Sequence, residues 1–178
     1  MRRHVMVKSS KTTLTDTNSP QCRLIQFMMI LQSVMLLLLL ATQPLMAKPL
    51  LMSAKTAHQS AQNGEIILVD IRTPEEWLET GIGEGAIALD MTSKRFITSL
   101  VKLRQTYPEK QIAFICATGG RSSYLIRYLT KNGFGNTADV SEGMLGSRAG
   151  PGWLKIGLPI YAGQTSEIEN RLRAVLPK

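Results

Sequence analysis

Cys116 is the residue of this chain best placed to do chemistry. It ends an apolar run, Gln111 to Ile115, and opens a short loop, Ala117-Thr118-Gly119-Gly120-Arg121-Ser122, which passes straight into a helical stretch, Ser123 to Asn132. A strand that re-enters a helix through a small loop gathers several backbone N–H groups around one point, and the positive end of the helix dipole adds to them. Thiols at helix N-termini or beside an arginine have pKa values of roughly 3.5–7.5, against about 8.5 for a free cysteine. The arrangement predicts a nucleophilic sulfur at position 116. The bland alternative is a small buried hydrophobe at a strand end, which is the usual fate of a lone cysteine. The Gly-Gly-Arg loop tips the reading toward chemistry.

The neighbours are given roles on the same grounds. Amide donors for an anionic sulfur are expected from Ala117, Thr118, Gly119, Gly120 and Ser122, with the glycines turning N–H groups inward where a Cβ would obstruct. Arg121 opposes the helix dipole at its position, so it is expected to face an anion rather than to be a solvated first-turn residue. The hydroxyls of Thr118 and Ser122 could reach a bound substrate, although Ser122 serves equally well as a helix cap. His4 lies in the leader and His58 in the first helix of the folded part, so a Cys–His dyad or a Ser–His–Asp triad is not expected. No metal site and no cofactor are expected.

These residues need elements to position them. Ser53 to Gln62 reads as a helix stopped at Asn63-Gly64, and Glu65 to Asp70 as a strand buried on both faces. Thr73, Pro74 and Glu76 spell a helix start with a capping box. Ala86 to Leu89 is a second short apolar run. Ser93 to Thr106 has helical periodicity, and Tyr124, Leu125, Tyr128 and Leu129 are expected on one face of the helix after the cysteine loop. Thr137 to Val140 is a further strand, Ser141 to Pro159 is glycine-rich, and Ser166 to Leu176 is an amphipathic terminal helix. Strands alternating with helices imply an α/β domain, a parallel sheet covered on both faces, with ligands at the carboxyl ends of the strands, where Asp70 and Cys116 fall. Asp70 and Arg72 are read as structural support, a carboxylate and a cation fixing a strand end. Trp77 and Trp153 are read as packing residues rather than substrate platforms.

The chain has 178 residues and a formal charge of +8, of which residues 1–47 and the remainder carry +4 each. Residues 1–23 are polar and basic and 24–41 almost wholly apolar; Pro44 and then Ala47 follow. This is the pattern of a secretory signal peptide cut after Ala47, with Met6 as an alternative start. Uncleaved, residues 24–41 could serve as a membrane anchor. In either case the remainder is expected on the far side of a membrane, periplasmic or secreted, or tethered there. The mixed charge holds no Lys/Arg cluster with interleaved aromatics, so nucleic acid is not an expected partner. Cys22 precedes the apolar run, is not placed like a lipidated cysteine, and would be lost with the leader.

The series Leu68-Val69-Asp70-Ile71-Arg72-Thr73-Pro74-Glu75-Glu76-Trp77, Gly85-Ala86-Ile87, Phe114 through Ser122, Glu142-Gly143, Trp153 and Gly157-Leu158-Pro159 resembles a single-domain rhodanese, the thiosulfate sulfurtransferase-like family. The resemblance covers residues 53–162, between the leader at 1–47 and a C-terminal helical extension at 163–178. It implies a three-layer α/β fold with a central parallel sheet of about five strands. It also implies a cysteine, Cys116 by position, that carries sulfur as a persulfide, with residues 117–121 as the surrounding loop. The implied partners are a small-molecule donor, thiosulfate or another persulfide, and a cyanide, thiol or protein acceptor. Two departures stand out: Ala117 replaces a residue often basic in the family, and Gly83-Glu84-Gly85 replaces the more usual Gly-His-Ile-Pro-Gly. The first weakens the case for a sulfonate-bearing donor.

Three functions compete for these residues: a sulfurtransferase, a catalytically silent rhodanese-like binding or sensing module, and a cysteine phosphatase or arsenate reductase. The last needs a longer cradle for a tetrahedral anion than the four residues between Cys116 and Arg121 supply.

Overall fold

Short apolar strands that lack a polar alternation must be covered on both faces, and the five-stranded parallel sheet does this. In the computed structural model, which describes residues 20–41 and 50–176, β1 (Leu50–Met52), β2 (Ile66–Asp70), β4 (Ala86–Ala88), β5 (Gln111–Ile115) and β6 (Thr137–Val140) pair in the order β1-β6-β5-β2-β4. The register sets Asp70 beside Ile115 and Phe114 beside Asp139. The ends of β2, β5 and β6 therefore converge on one rim. A separate antiparallel pair joins β3 (Ile82–Gly83) to β7 (Ile160–Tyr161).

The chain divides into two units at Leu45–Met46. In the first, α1 spans Pro20–Ala41. Among the described residues no helix is long and apolar enough to cross a membrane. The side chains of residues 36–41, which a span over 24–41 would need, lie outside the described residues, as do the cleavage position after Ala47 and the alternative start at Met6.

In the second unit, one face of the sheet packs Leu68, Ala113, Ile115 and Val140 against Ala57 of α2 (Ala54–Gln62), Trp77 of α3 (Pro74–Thr80), Met144 and Trp153. The other packs Val69, Ile112 and Phe114 against Leu100 and Leu103 of α4 (Phe96–Thr106) and Leu125, Ile126 and Leu129 of α5 (Gly120–Lys131). Both tryptophans are buried, as packing residues should be. Thr73 caps α3 with the expected reciprocal box, its hydroxyl accepting from Glu76 N–H while the Glu76 carboxylate accepts from Thr73 N–H. The terminal helix α6 (Thr165–Val175) docks on the domain. Arg171 pairs with Glu84 at 2.7 Å and with Glu167 at 2.6 Å and lies 3.8 Å over the Tyr161 ring.

Three local expectations change. β1 and the β3–β7 pair carry too few residues for a period-2 signal, and both form because neighbouring strands offer them partners. α5 begins at Gly120, three residues before the expected Ser123, since glycine at 119 serves as N-cap. Its buried face is Ser122, Leu125, Ile126 and Leu129, while Tyr124 and Tyr128 are 62% and 52% exposed. The earlier start lets Ser122 and Ile126 complete the i, i+3, i+4, i+7 stripe and leaves the tyrosines at its edge.

At the end of β2, Asp70 and Arg72 form a fully buried pair. Arg72 Nη2 donates to Asp70 Oδ2 at 2.7 Å and Nε to Oδ1 at 3.0 Å, and the guanidinium also donates to Thr80 Oγ1 and Gly81 O, each at 2.7 Å. The pair ties β2 to the far end of α3. Arg72→Ala should cost about 3–5 kcal/mol, because it strands a buried carboxylate without its counter-charge; urea denaturation would show the loss, and a change below about 1 kcal/mol would contradict it.

Candidate active site

The loop after β5 is built by what its carbonyls touch. Cys116 O accepts from Met144 N–H at 2.9 Å and Ala117 O from Leu145 N–H at 2.8 Å. A trans peptide sets its C=O and N–H in opposite directions, so the N–H groups of Ala117 and Thr118 point away from the 143–145 turn. Gly119 O accepts from Ser123 N–H at 3.1 Å and opens α5. The first N–H groups of a helix have no partner within it and point back past its N-terminus, toward the start of the loop. Among the described residues, the N–H groups of Ala117, Thr118, Gly119, Gly120, Arg121 and Ser122 meet no protein acceptor. Six consecutive donors remain for a ligand or solvent.

Two glycines make the close approach possible. Gly119 has φ +81°, and a Cβ there would sit 2.3 Å from Ser141 O; Gly143 has φ +69°, and its Cβ would sit 2.4 Å from Ala117 O. Gly120 is helical with open space around it, so of the two loop glycines only Gly119 is required by the backbone.

Cys116 is 1% exposed, in contrast to the accessible sulfur that the loop had suggested. Its side chain turns toward α5, where Sγ lies 3.6 Å from Ser122 Oγ. In the loop that follows it, Thr118 and Gly120 are exposed. Ser122 is not a cap: it is the third residue of α5, and its Oγ lies 2.6 Å from Asp139 Oδ1 and 3.1 Å from Gly119 O. Arg121 is neither free in solvent nor open at the mouth of the loop. Its guanidinium grips Glu76 of α3 with two bonds of 2.7 and 2.5 Å. The bond from Arg121 holds the Glu76 carboxyl down at about 2, with burial opposing, and the Glu76 bond raises Arg121 in turn against its own burial. Asp70 and Arg72 engage each other behind the loop. His58 is remote, with Nδ1 3.4 Å from Glu84 O and its ring edge-on to Trp153.

Two residues of this site escaped the sequence. Asp139 sits in a strand of otherwise uncharged residues, Thr137-Ala138-Asp139-Val140, and that anomaly was its only signal. Glu76 was accounted for by its cap and gave no sign of a second partner 45 positions away. Among the described residues no cluster of His, Cys, Asp and Glu could hold a metal ion.

Gly119→Ala should misplace the loop and lower stability, with Gly120→Ala nearly neutral, since only the first meets backbone and a positive φ; paired thermal melts would check the contrast, and equal effects would refute it. The Arg121–Glu76 pair gives a second expectation. Glu76 titrates near 4.5 unfolded and near 2 folded, so the pair's stabilisation is complete above about 4.5 and lost as pH falls from there toward 2. Glu76→Gln should flatten that limb of the stability–pH curve while costing under about 1 kcal/mol at neutral pH, because both partners remain partly solvated.

With this geometry in hand, the comparisons with known proteins are specific. The family model for the rhodanese-like domain matches residues 53–148. An uncharacterized protein of Rickettsia prowazekii (strain Madrid E) is 28% identical over 113 residues, covering 60% of this chain and 92% of the relative. A sulfurtransferase of Allochromatium vinosum is 28% identical over 112 residues, covering 62% and 92%. In fold alone, the thiosulfate sulfurtransferase structure from Pseudomonas aeruginosa is similar at TM-score 0.51 and 16% identity, over 71% of this chain and 24% of that one. The five-stranded parallel sheet, the glycine-gated loop and the family match over more than half of the sequence agree: this chain belongs to the rhodanese-like domain family.

Proposed function

We propose that the chain is an exported sulfurtransferase that carries sulfane sulfur as a persulfide on Cys116. The observation that carries this reading is the run of six N–H groups, from Ala117 to Ser122, left without protein acceptors in the loop that directly follows Cys116. Such a run is worth little to a neutral thiol and much to an anion, since preorganised donors act where charge develops. In the first half-reaction the Cys116 thiolate attacks the outer sulfur of thiosulfate. The Sγ–S bond forms, the bond to the sulfonate sulfur breaks, and sulfite departs with the electron pair. A persulfide donor reacts in the same way and releases a thiolate. In the second half-reaction cyanide or a thiolate attacks the terminal sulfur, and Cys116 leaves as the thiolate.

Arg121 can approach an anionic donor only by sharing or leaving Glu76, so its part is a positive field at the loop. Ala117 at the position after the cysteine favours a persulfide over a sulfonate-bearing donor. Export is supported by the pattern of residues 1–47.

A second reading, a silent binding module, draws support from the 1% exposure of Cys116 and the engaged Arg121. The four-residue spacing disfavours a phosphatase or arsenate reductase. Intact mass after incubation with thiosulfate, and separately with a persulfide donor, distinguishes them. The wild type should gain one sulfur that cyanide removes, and Cys116→Ala should gain none. Absence of uptake from both donors would leave the binding module, and phosphate-ester hydrolysis would instead favour the phosphatase.

A further inference from the structure

Asp139, Ser122 and Cys116 form a buried chain on the α5 side of the sheet, with residue exposures of 4%, 0% and 1%. A serine hydroxyl has one proton to give and two lone pairs. At 2.6 Å the Asp139 carboxylate takes that proton, in preference to Gly119 O at 3.1 Å. What Ser122 then offers to the sulfur at 3.6 Å is a lone pair. An acceptor facing a thiol favours S–H and opposes the thiolate, and a carboxylate one residue behind it opposes the thiolate again by charge. We propose that Asp139 is a positioning residue for the nucleophile, holding resting Cys116 through Ser122 as a protonated thiol. The inference concerns the sulfur that the proposed persulfide chemistry uses, and so rests on that reading.

Burial raises the Asp139 pKa, with the Ser122 bond and the charge of Arg127 opposing. The other charged groups are accounted for. Arg121 of α5 favours the thiolate but is paired with Glu76 of α3, Arg127 of α5 acts on Asp139, and Asp70 of β2 is neutralised by Arg72. From β5, the strand beside Asp139, the facing residue is Phe114.

The test is an infrared titration of the S–H stretch in the full chain carrying Cys22→Ser, so that Cys116 is the only thiol. Wild type at Asp139 should show the band at neutral pH. Asp139→Asn keeps an acceptor for Ser122 but removes the charge, and should lower the midpoint at which the band disappears by about one pH unit, equivalent to about tenfold in the thiol's ionisation constant. Ser122→Ala should also lower the midpoint and shift the band to the frequency of an unbonded S–H. A residue that merely packs would move neither. No band in the wild type at neutral pH, or a midpoint unchanged or raised in Asp139→Asn, overturns the proposal. If Asp139→Asn does not fold, an unchanged midpoint and frequency in Ser122→Ala does the same. Sulfur uptake by the wild type is measured separately, so a silent enzyme with a latched thiol and an active enzyme with an unlatched one are distinguishable.

Discussion

Two hydrogen bonds decide what the loop after β5 can do: Met144 N–H to Cys116 O and Leu145 N–H to Ala117 O. They hold the carbonyl side of two successive peptides against the glycine-rich turn, which leaves the amide side facing the other way. Helix α5, starting at Gly120, adds its own unpartnered first-turn N–H groups. Removing the turn would let these peptides rotate and pair locally, and the donors would be spent on the protein itself. Gly143 and Gly119 are where this contact is closest, with no room for a Cβ on either side.

The charged residues near the sulfur are sorted by how far they are removed from water. Asp70 and Arg72 are wholly buried and satisfy each other, so they set geometry and contribute little net field. Arg121 and Glu76 keep about a third of their exposure, which screens their effect on the sulfur. Asp139 is the carboxylate that reaches Cys116 by hydrogen bonds, and burial keeps that connection unscreened.

In the proposed chemistry the amides and the serine act on different sulfur atoms. Ser122 addresses Sγ, the atom bonded to the protein, and holds it as a thiol at rest. A persulfide would place its terminal sulfur about 2 Å beyond Sγ, and in the proposed chemistry that atom is the anion the loop amides stabilise.

Much of this was legible in the residues. Apolar runs of strand length announced β2, β5 and β6; Thr73-Pro74-Glu76 announced α3 and its cap; the cysteine, glycines and arginine at 116–121 announced the loop and the family. These are local signals, set by periodicity and by the backbone demands of turns and caps. The diversion of Arg121 to Glu76 and the Asp139–Ser122 link could not be read, because they join side chains 45 and 17 positions apart. The sequence by itself determined that Cys116 closes a strand and opens a glycine loop into a helix, which makes it the candidate nucleophile, since strand, loop and helix are contiguous. Only the tertiary structure decided which charges act on that sulfur, because sheet order and helix packing set the distances between β6, α5 and α3.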